Sequence, residues 1–331
     1  MNYLIAVIAQ RLGALRLASA RFEAVLTARP DHLGALHYYG WVTGRLGRFN
    51  ESLAANERLA ALVPHSAHAR TGCGCALQNL GRHDEAIAHF TAALEMEPDD
   101  PLIPYNLGVS LAALGRFQDA LPIYTRLARQ RPDDAAVIGN LAAALGDLGH
   151  WNDAAEIGRR AVSLEPSLAH TRNFGIALFE LGQHADAEQE FRKARDLEPG
   201  SEIDARLALA IAHQGRYDEA EKLLREALRK EPGSFEVKSS LVFVLGLNNR
   251  VTAALDLALE LVRMHPEQSR GHEVLGWTYL EMGNGEAALR AYDAAIAYEP
   301  GNAHLHEGRQ RAAALIAQRE PKTDQRRAKS D

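Results

Sequence analysis

The sequence predicts an all-α protein built from stacked helical hairpins, and three periodic series of residues carry that prediction. A proline recurs at a nearly constant interval, as at Pro30, Pro64 and Pro98. A glycine, or asparagine in one case, precedes each proline at a fixed distance, and a small residue lies at a fixed position between the two, as Gly13 and Ala18 precede Pro30. Internal repeats with a period of about 20–50 residues are typical of solenoids, in which each unit buries its apolar face against its neighbours.

Each series has nine members. The prolines are Pro30, Pro64, Pro98, Pro132, Pro166, Pro199, Pro232, Pro266 and Pro300. The second series is Gly13, Gly47, Gly81, Gly115, Gly149, Gly182, Gly215, Asn249 and Gly283. The third is Ala18, Ser52, Ala86, Ala120, Ala154, Ala187, Ala220, Ala254 and Ala288. They predict one array of nine repeats, with approximate bounds 1–32, 33–66, 67–100, 101–134, 135–167, 168–200, 201–234, 235–268 and 269–302.

The series also have mechanical explanations. Glycine ends a first helix because it adopts a left-handed conformation without a Cβ penalty, and asparagine, as at Asn249, is among the residue types that tolerate it next best. Proline closes a second helix because it lacks the backbone donor that continuation needs. Acidic pairs that follow a proline, such as Asp99-Asp100 and Asp133-Asp134, are interpreted as caps of the next helix and not as catalytic dyads.

The pattern resembles the tetratricopeptide repeat. One repeat shows Leu107-Gly108, Leu111, Ala120, Tyr124 and Pro132, and the ninth shows the equivalent Leu275-Gly276, Tyr279, Ala288, Tyr292 and Pro300. The resemblance covers residues 1 to about 301 and implies a right-handed α/α superhelix of hairpins. Three repeats depart from it at the eighth position, where Ala142, Ala208 and Val242 replace glycine. Because Val242 is the bulkiest, we expect a looser contact between the seventh and eighth repeats.

Three further features lie inside or at the ends of the array. We expect the helix that contains Pro122 to begin late, so that the proline falls in its first turn. Residues 303–318 predict a capping helix, and the polar segment 319–331 predicts disorder. The first hairpin begins without a polar cap, which predicts that its apolar face docks on something, self-association included, or that the chain was cut from a longer one.

Composition excludes several function classes. The net charge of −6 gives no basic field to attract nucleic acid, and no apolar run is long enough to insert into a membrane. There is no phosphate-binding glycine loop, no H-E-x-x-H and no paired C-x-x-C. We therefore expect no enzyme activity, no cofactor and no metal. Two cysteines give no disulfide framework, which favours a cytoplasmic location and leaves the periplasm open.

The resemblance implies that positions 2, 5, 6, 9, 12 and 13 of each first helix line a concave groove. A partner would then contact aromatic, basic and amide side chains at those positions, with Trp41 and Trp277 as aromatic anchors. The predicted partner-binding residues are His37, Tyr38, Trp41, Arg45, Tyr105, Asn106, Asn140, Arg172, Asn173, Phe179, Arg206, Leu209, Phe243 and Trp277.

Three of these residues form a series of their own. Asn106, Asn140 and Asn173 occupy position six of successive repeats, and a carboxamide offers both a donor and an acceptor to the backbone of an extended peptide. The series resembles the asparagine ladder in the repeat region of O-linked N-acetylglucosamine transferases. The carboxylate clamp of chaperone-binding arrays is matched by Asn173 and Arg206 only, and Glu202 has the wrong charge for it.

The resemblance therefore implies an adaptor that binds an extended segment of a partner protein. Two alternatives remain open. In the first, the array is the substrate-recruiting part of a glycosyltransferase or sulfotransferase, or a partner to one. In the second, it is a bacterial secretion, pilus or envelope-assembly factor.

Overall fold

The computed structural model describes residues 1–319, which contain α-helices and no β-strand, as the all-α prediction requires. The chain divides into two compact units, Met1–Glu165 (unit 1) and Pro166–Asp331 (unit 2). The predicted disordered segment from residue 320 onwards lies outside the described residues.

Unit 1 contains ten helices in five pairs. They are α1 (Asn2–Arg11), α2 (Leu15–Ala28), α3 (Leu33–Arg45), α4 (Phe49–Leu62), α5 (Ala67–Asn79), α6 (His83–Met96), α7 (Leu102–Ala113), α8 (Phe117–Gln130), α9 (Ala135–Asp147) and α10 (Trp151–Leu164). Each odd-numbered helix, which we call a first helix, packs against the second helix that follows it, and α1, α3, α5 and α7 also pack against the next first helix.

The described part of unit 2 contains nine helices, four pairs and a final single helix. They are α11 (Leu168–Glu180), α12 (His184–Leu197), α13 (Ser201–Ala212), α14 (Tyr217–Lys230), α15 (Phe235–Leu247), α16 (Val251–Met264), α17 (Ser269–Glu281), α18 (Gly285–Tyr298) and α19 (Ala303–Arg319). Helix α19 packs on α18 and α17, where the sequence predicts a cap.

The turn between the two helices of a pair is left-handed at its glycine. At Gly149, for example, φ is 76°. The Gly149 amide donates to the Gly146 carbonyl over 2.8 Å, and the next amide, that of His150, donates to the Leu145 carbonyl over 2.9 Å. These two bonds satisfy carbonyls at the end of α9 that have no partner within the helix. All eight positive-φ glycines belong to the second series, and Asn249, with φ of 58°, is the one non-glycine residue among the described residues that shares the conformation.

Short polar side chains cap several first helices. The Asp134 carboxylate accepts hydrogen bonds from the amides of Ala136 and Val137 over 3.1 and 3.2 Å. Asp100 accepts from the Leu102 amide over 2.8 Å. Asp134 thus caps α9, as the sequence predicts, whereas Pro101 is the N-cap residue of α7 and Asp100, just before it, binds the first amide of that helix.

Complementary side-chain sizes fill the space between the helices of a pair. Phe90 packs on Gly74, where an added β-carbon would lie 2.6 Å from the ring. The eighth repeat reverses the sizes, because Val242 takes the glycine register and Ala258 takes the aromatic one. Both are fully buried. Within the eighth repeat the bulkier residue thus meets a smaller one. The expectation of a looser contact between the seventh and eighth repeats is wrong for a separate reason, because α15 packs against α13 more extensively than any other two successive first helices pack in residues 1–319.

Pro122 lies inside α8, and the expected late start of that helix is wrong. The helix begins at Phe117, so the proline is its sixth residue and the carbonyl of Gln118 loses its usual partner. The start is set instead by the left-handed turn at Gly115. Pro122 itself is exposed, which leaves water able to hydrate the carbonyls that lose their helical partners.

Helix α1 exposes one apolar face. Leu4, Ile8 and Leu12 are 64%, 49% and 78% exposed. Self-association through this face remains a prediction. Within residues 1–319, no helix is long and apolar enough to cross a membrane.

Candidate functional site

The predicted partner-binding residues all lie on first helices. Helix α3 carries His37, Tyr38, Trp41 and Arg45, α7 carries Tyr105 and Asn106, α9 carries Asn140, α11 carries Arg172, Asn173 and Phe179, α13 carries Arg206 and Leu209, α15 carries Phe243, and α17 carries Trp277. We call the surface that these positions form in each unit its groove face.

The groove face of unit 1 contains a cavity of about 680 Å³. Trp41 and Arg45 line it, as do Cys75 and Asn79 on the next first helix, α5. Trp41 is 41% exposed, and the Arg45 guanidinium lies over its indole, 5.5 Å from the ring centroid. An open aromatic side chain beside a cavity is the arrangement that commonly anchors a partner residue.

One polar substitution in the repeat pattern accompanies this cavity. A single register position in the second helix of each pair holds a buried aromatic ring in five repeats, at Phe22, Phe90, Tyr124, Phe191 and Tyr292. In the second repeat it holds Asn56, which packs on Gly40 and Gly72. A carboxamide fills less space than a phenyl ring, so the position leaves room beside Trp41 that a ring fills in the five aromatic repeats.

Asn106 and Asn140 belong to unit 1, and their carboxamides make only long contacts. Asn106 Nδ2 lies 3.8 Å from Cys75 Sγ, and Asn140 Nδ2 lies 3.4 Å from the Tyr105 hydroxyl. Tyr105 also lies under the Arg131 guanidinium at 5.9 Å. Hydrogen bonds of this length are weak, so both amides can exchange these partners for a stronger one.

The other aromatic residues on the groove face of unit 1 pack against neighbouring rings of the protein. The Tyr38 ring stacks on the buried Phe22 ring at 5.8 Å and packs against the core. His37 stacks on His68 at 4.1 Å. Burial, followed by the neighbouring His68, lowers the pKa of His37, so this imidazole is neutral near pH 7.

Unit 2 has a second, smaller cavity on its groove face, of about 360 Å³. Phe179, Leu209 and Arg206 line it. Arg206 Nε contacts a Glu202 carboxylate oxygen at 3.2 Å, and Arg172 approaches the same carboxylate at 3.7 Å. Glu202, the acidic residue that departs from the carboxylate-clamp pattern, thus pairs with both predicted arginines, Arg206 and Arg172.

Other predicted residues of unit 2 are packed more closely than their positions suggest. Asn173 Oδ1 accepts from Arg172 Nε over 3.4 Å. The Trp277 indole is half-buried, its ring centroid lies 4.7 Å from that of Phe243 with the rings tilted by 50°, and it lies against Gly246. Trp277 therefore fills space in the fold and is less open to a partner than Trp41.

Sequence reasoning missed several lining residues. Asn56, Gly72 and Glu97 line the unit 1 cavity, and Ser240 and Arg270 line the unit 2 cavity. Asn56 had a visible signal, because it interrupts an otherwise frequent aromatic register. Among the residues described, no group of three or more His, Cys, Asp or Glu side chains is placed to hold a metal ion.

Comparison with known proteins identifies the repeat. Residues 73–135, 172–235 and 273–323 match one family model described as tetratricopeptide repeat, and residues 111–167 and 212–278 match a second with the same description. No curated protein matches the chain.

Several solved structures resemble this chain to different extents. A tetratricopeptide repeat protein from Parabacteroides merdae is 17% identical and superimposes with a TM-score of 0.66, over 75% of this chain and 98% of its own. MamA from Desulfovibrio magneticus is 23% identical, with a TM-score of 0.48 over 50% of this chain and 94% of its own. A thermophilic TPR protein from Thermus thermophilus is 26% identical, with a TM-score of 0.44 over 54% of this chain and 99% of its own.

The first of these structures shows a shared fold, and the family models together span most of the chain from residue 73 onwards. The predicted repeat type is confirmed: this chain belongs to the tetratricopeptide repeat family.

Proposed function

We propose that the groove faces bind an extended segment of a partner protein. The observation that carries the proposal is that residues at the predicted partner-binding positions line a cavity in each unit, Trp41 and Arg45 in one and Phe179, Arg206 and Leu209 in the other. The tetratricopeptide repeat fold is consistent with a protein-interaction scaffold.

The asparagines supply the sequence-tolerant part of the binding. Each carboxamide has one long contact with the protein and unused hydrogen-bonding capacity. A peptide backbone presents donors and acceptors alternately, and a carboxamide matches both. Each such bond contributes about 1 kcal/mol net, so the amides hold a segment without selecting its sequence.

Selectivity then comes from the cavities. Their lining combines apolar surface with a few charged groups, as in sites that accept individual side chains. Trp41 is the strongest candidate anchor because its indole is open, whereas Trp277 is packed against Gly246 and Phe243. No observation on residues 1–319 favours a link to a glycosyltransferase, a sulfotransferase or a secretion system, so the proposal is limited to segment binding.

The test is affinity capture with the full chain as bait, followed by mass spectrometry of the captured proteins. Asn106, Asn140 and Asn173 changed together to Ala remove about 3 kcal/mol of binding, which corresponds to a loss of about a hundredfold in affinity. Trp41→Ala reduces affinity about tenfold or more if the indole is an anchor. Neither change lowers the melting temperature appreciably, because the side chains are not fully buried.

Leu62→Ala is the matched control. Leu62 is 42% exposed, about as much as Trp41, but ends a second helix and does not line the cavity. Its substitution should leave capture unchanged. If the asparagine and Trp41 variants capture the same proteins as the parent in the same amounts, the groove faces do not bind the partner.

A further inference from the structure

The floor of the unit 1 cavity holds an acceptor without a partner among the described residues, on a residue that is itself buried. Asn56 is 3% exposed, and its Nδ2 donates to the Ser52 carbonyl over 2.8 Å. The atom beside a carbonyl oxygen has to be the donor, and this fixes which end of the amide faces the cavity. Asn56 Oδ1, at the other end, accepts no hydrogen bond from residues 1–319.

The neighbouring polar groups use most of their donors within the fold. The Ser52 hydroxyl donates to the Gly40 carbonyl over 2.7 Å, and the Thr71 hydroxyl donates to the Ala67 carbonyl over 2.9 Å. Asn79 Nδ2 donates one of its two N–H groups to the Cys75 carbonyl over 2.8 Å. Apart from the second N–H of Asn79, these three side chains offer a ligand lone pairs, so acceptors outnumber donors among them.

The rim adds negative charge. Glu97 and Asp100 line the cavity, and Arg45 is the one Lys or Arg that does so. Burial lowers the pKa of His68, although Glu97 and Asp100 oppose that shift, so its ring is neutral near pH 7. Two carboxylates against one guanidinium leave the cavity with a net negative charge.

We propose that this cavity binds a lysine or arginine side chain of the partner segment. The proposal rests on the proposed function and adds the chemistry of one residue of the ligand. Ammonium and guanidinium groups carry three and five donors and no acceptor, which matches an acceptor-rich lining. The Trp41 indole favours a cation as well, and the Arg45 guanidinium already lies over it.

Other side chains fit less well. An acidic side chain would meet two carboxylates and one guanidinium that is already stacked on Trp41. An apolar side chain would bury Asn56 Oδ1 completely and leave it without a partner, which is unfavourable. A basic side chain satisfies that oxygen and reaches the carboxylates at the rim.

The experiment uses N-acetyl-arginine methylamide as the probe and the neutral isostere N-acetyl-citrulline methylamide as its control, titrated into the full chain. Binding is followed through the indole N–H signal of Trp41 in the NMR spectrum, which Trp41→Phe assigns among the three tryptophans. A probe of this size should bind with a dissociation constant on the order of 1–10 mM. Citrulline should bind about tenfold more weakly or worse, because it lacks the charge.

Two variants locate the site. Asn56→Phe restores the aromatic register and fills the cavity, and Gly40 gives the ring the room that Gly74 gives Phe90. Asn56→Leu keeps a similar size and removes the acceptor. Both should fold, as melting curves will show. Asn56→Phe should abolish binding of the probe, and Asn56→Leu should weaken it several-fold.

Three results would overturn the proposal: no saturable shift of the Trp41 signal, equal affinity for arginine and citrulline, or undiminished binding to Asn56→Phe. None of these results depends on whether the parent chain captures a partner protein. If capture depends on the asparagines while the arginine probe does not bind, segment binding stands and the basic side chain is wrong. If the arginine probe binds but no groove substitution alters capture, the cavity accepts a basic side chain and the proposed segment binding is wrong.

Discussion

Units 1 and 2 share one repeat register but join neighbouring pairs differently. In unit 2, arginines at the start of second helices reach back to the preceding pair. Arg216 donates to Glu188 over 2.7 Å, and Arg250 donates to Glu221 over 2.6 Å. Both carboxylates are buried. Glu188 also accepts from Gln214 over 2.7 Å. Two successive contacts between pairs in unit 2 therefore contain a buried, hydrogen-bonded charge.

Unit 1 has arginines at the same positions but uses them locally. Arg82 pairs with Glu85 and Arg116 with Asp119, each within its own second helix. Arg48 is the exception, since it donates to the Ser19 hydroxyl of the preceding pair over 2.8 Å. Ser19 occupies the register position that Glu188 takes in unit 2, and the same position is apolar in the rest of unit 1, at Leu53, Ile87, Leu121 and Ala155.

This difference shows that neighbouring helix pairs can be joined in two ways within the same repeat pattern. In unit 1 this register position is apolar except at Ser19, which accepts from Arg48, and the polar residue Asn56 shapes a cavity. In unit 2 the polar residues hold the pairs together and the cavity is smaller. Breaking a buried charge pair leaves the remaining charge poorly solvated, so the units should respond differently to the loss of charge.

The largest expected effect concerns the left-handed glycine turn, which both units share. Gly149→Val in unit 1 and Gly215→Val in unit 2 place a β-branched residue at φ of 76° and 80°. Each should destabilise its own unit by about 2 kcal/mol. An added β-carbon meets nothing within 4 Å at either site, so the cost is conformational and not steric. Hydrogen exchange followed helix by helix measures it in each unit.

Gly233→Val is the matched control. Its β-carbon also meets nothing within 4 Å, but its backbone is not left-handed. It should therefore change the free energy of unfolding by less than about 0.5 kcal/mol. Equal losses at Gly149 and Gly233 would show that the left-handed turn is not the source of the cost.

The second effect separates the units. Glu188→Gln should destabilise unit 2 by about 1–2 kcal/mol, because the buried position loses hydrogen bonds to Arg192 and Arg216 that involve charged partners. Glu85→Gln in unit 1 removes an exposed pair and should cost less than about 0.5 kcal/mol. Chemical denaturation of both variants gives the comparison. If the two losses are equal, the contacts of unit 2 do not depend on these ion pairs.

Much of the fold follows from the sequence because its causes are local. A left-handed turn needs glycine or asparagine, so the series that ends at Gly283 marks the turns one by one, with Asn249 included. The start of α8 at Phe117 did not follow, because the turn at Gly115 overrides the preference of Pro122 for a first turn. The exchange of side-chain sizes between Val242 and Ala258 was not predicted either, because recognising it requires comparing the registers of both helices of the pair.

The site was predictable in position but not in openness. Helical spacing and the resemblance assign Trp41 and Trp277 each to the groove face of its own unit, yet Trp41 is open and Trp277 packs against Gly246. That difference depends on a glycine in the preceding repeat, which no single-helix pattern reports. The acceptor at Asn56 lies on a second helix, outside the positions that the resemblance assigns to binding.

The last effect is the pH dependence of the loss at Glu188 in unit 2. Burial alone would raise the pKa of Glu188, but hydrogen bonds from Arg192, Gln214 and Arg216 outweigh it and hold the pKa below its ordinary value. A carboxyl group with a lowered folded-state pKa stabilises the protein above its unfolded pKa, about 4.3, and loses that contribution as the pH falls through the folded value. The free energies of unfolding of the parent and Glu188→Gln should therefore differ by about 1–2 kcal/mol at pH 7 and converge below about pH 4.

In unit 1, Glu51 has a pKa lowered by hydrogen bonds from Arg48 and Tyr39. Its side chain is 43% exposed, so solvent screens the pair, and Glu51→Gln should differ from the parent by a smaller amount at pH 7 before the two converge. Denaturation curves for the parent and both variants between pH 3 and pH 7 measure the two gaps. A gap at Glu188 that stays constant across this range would mean that its contribution comes from packing and not from its charge.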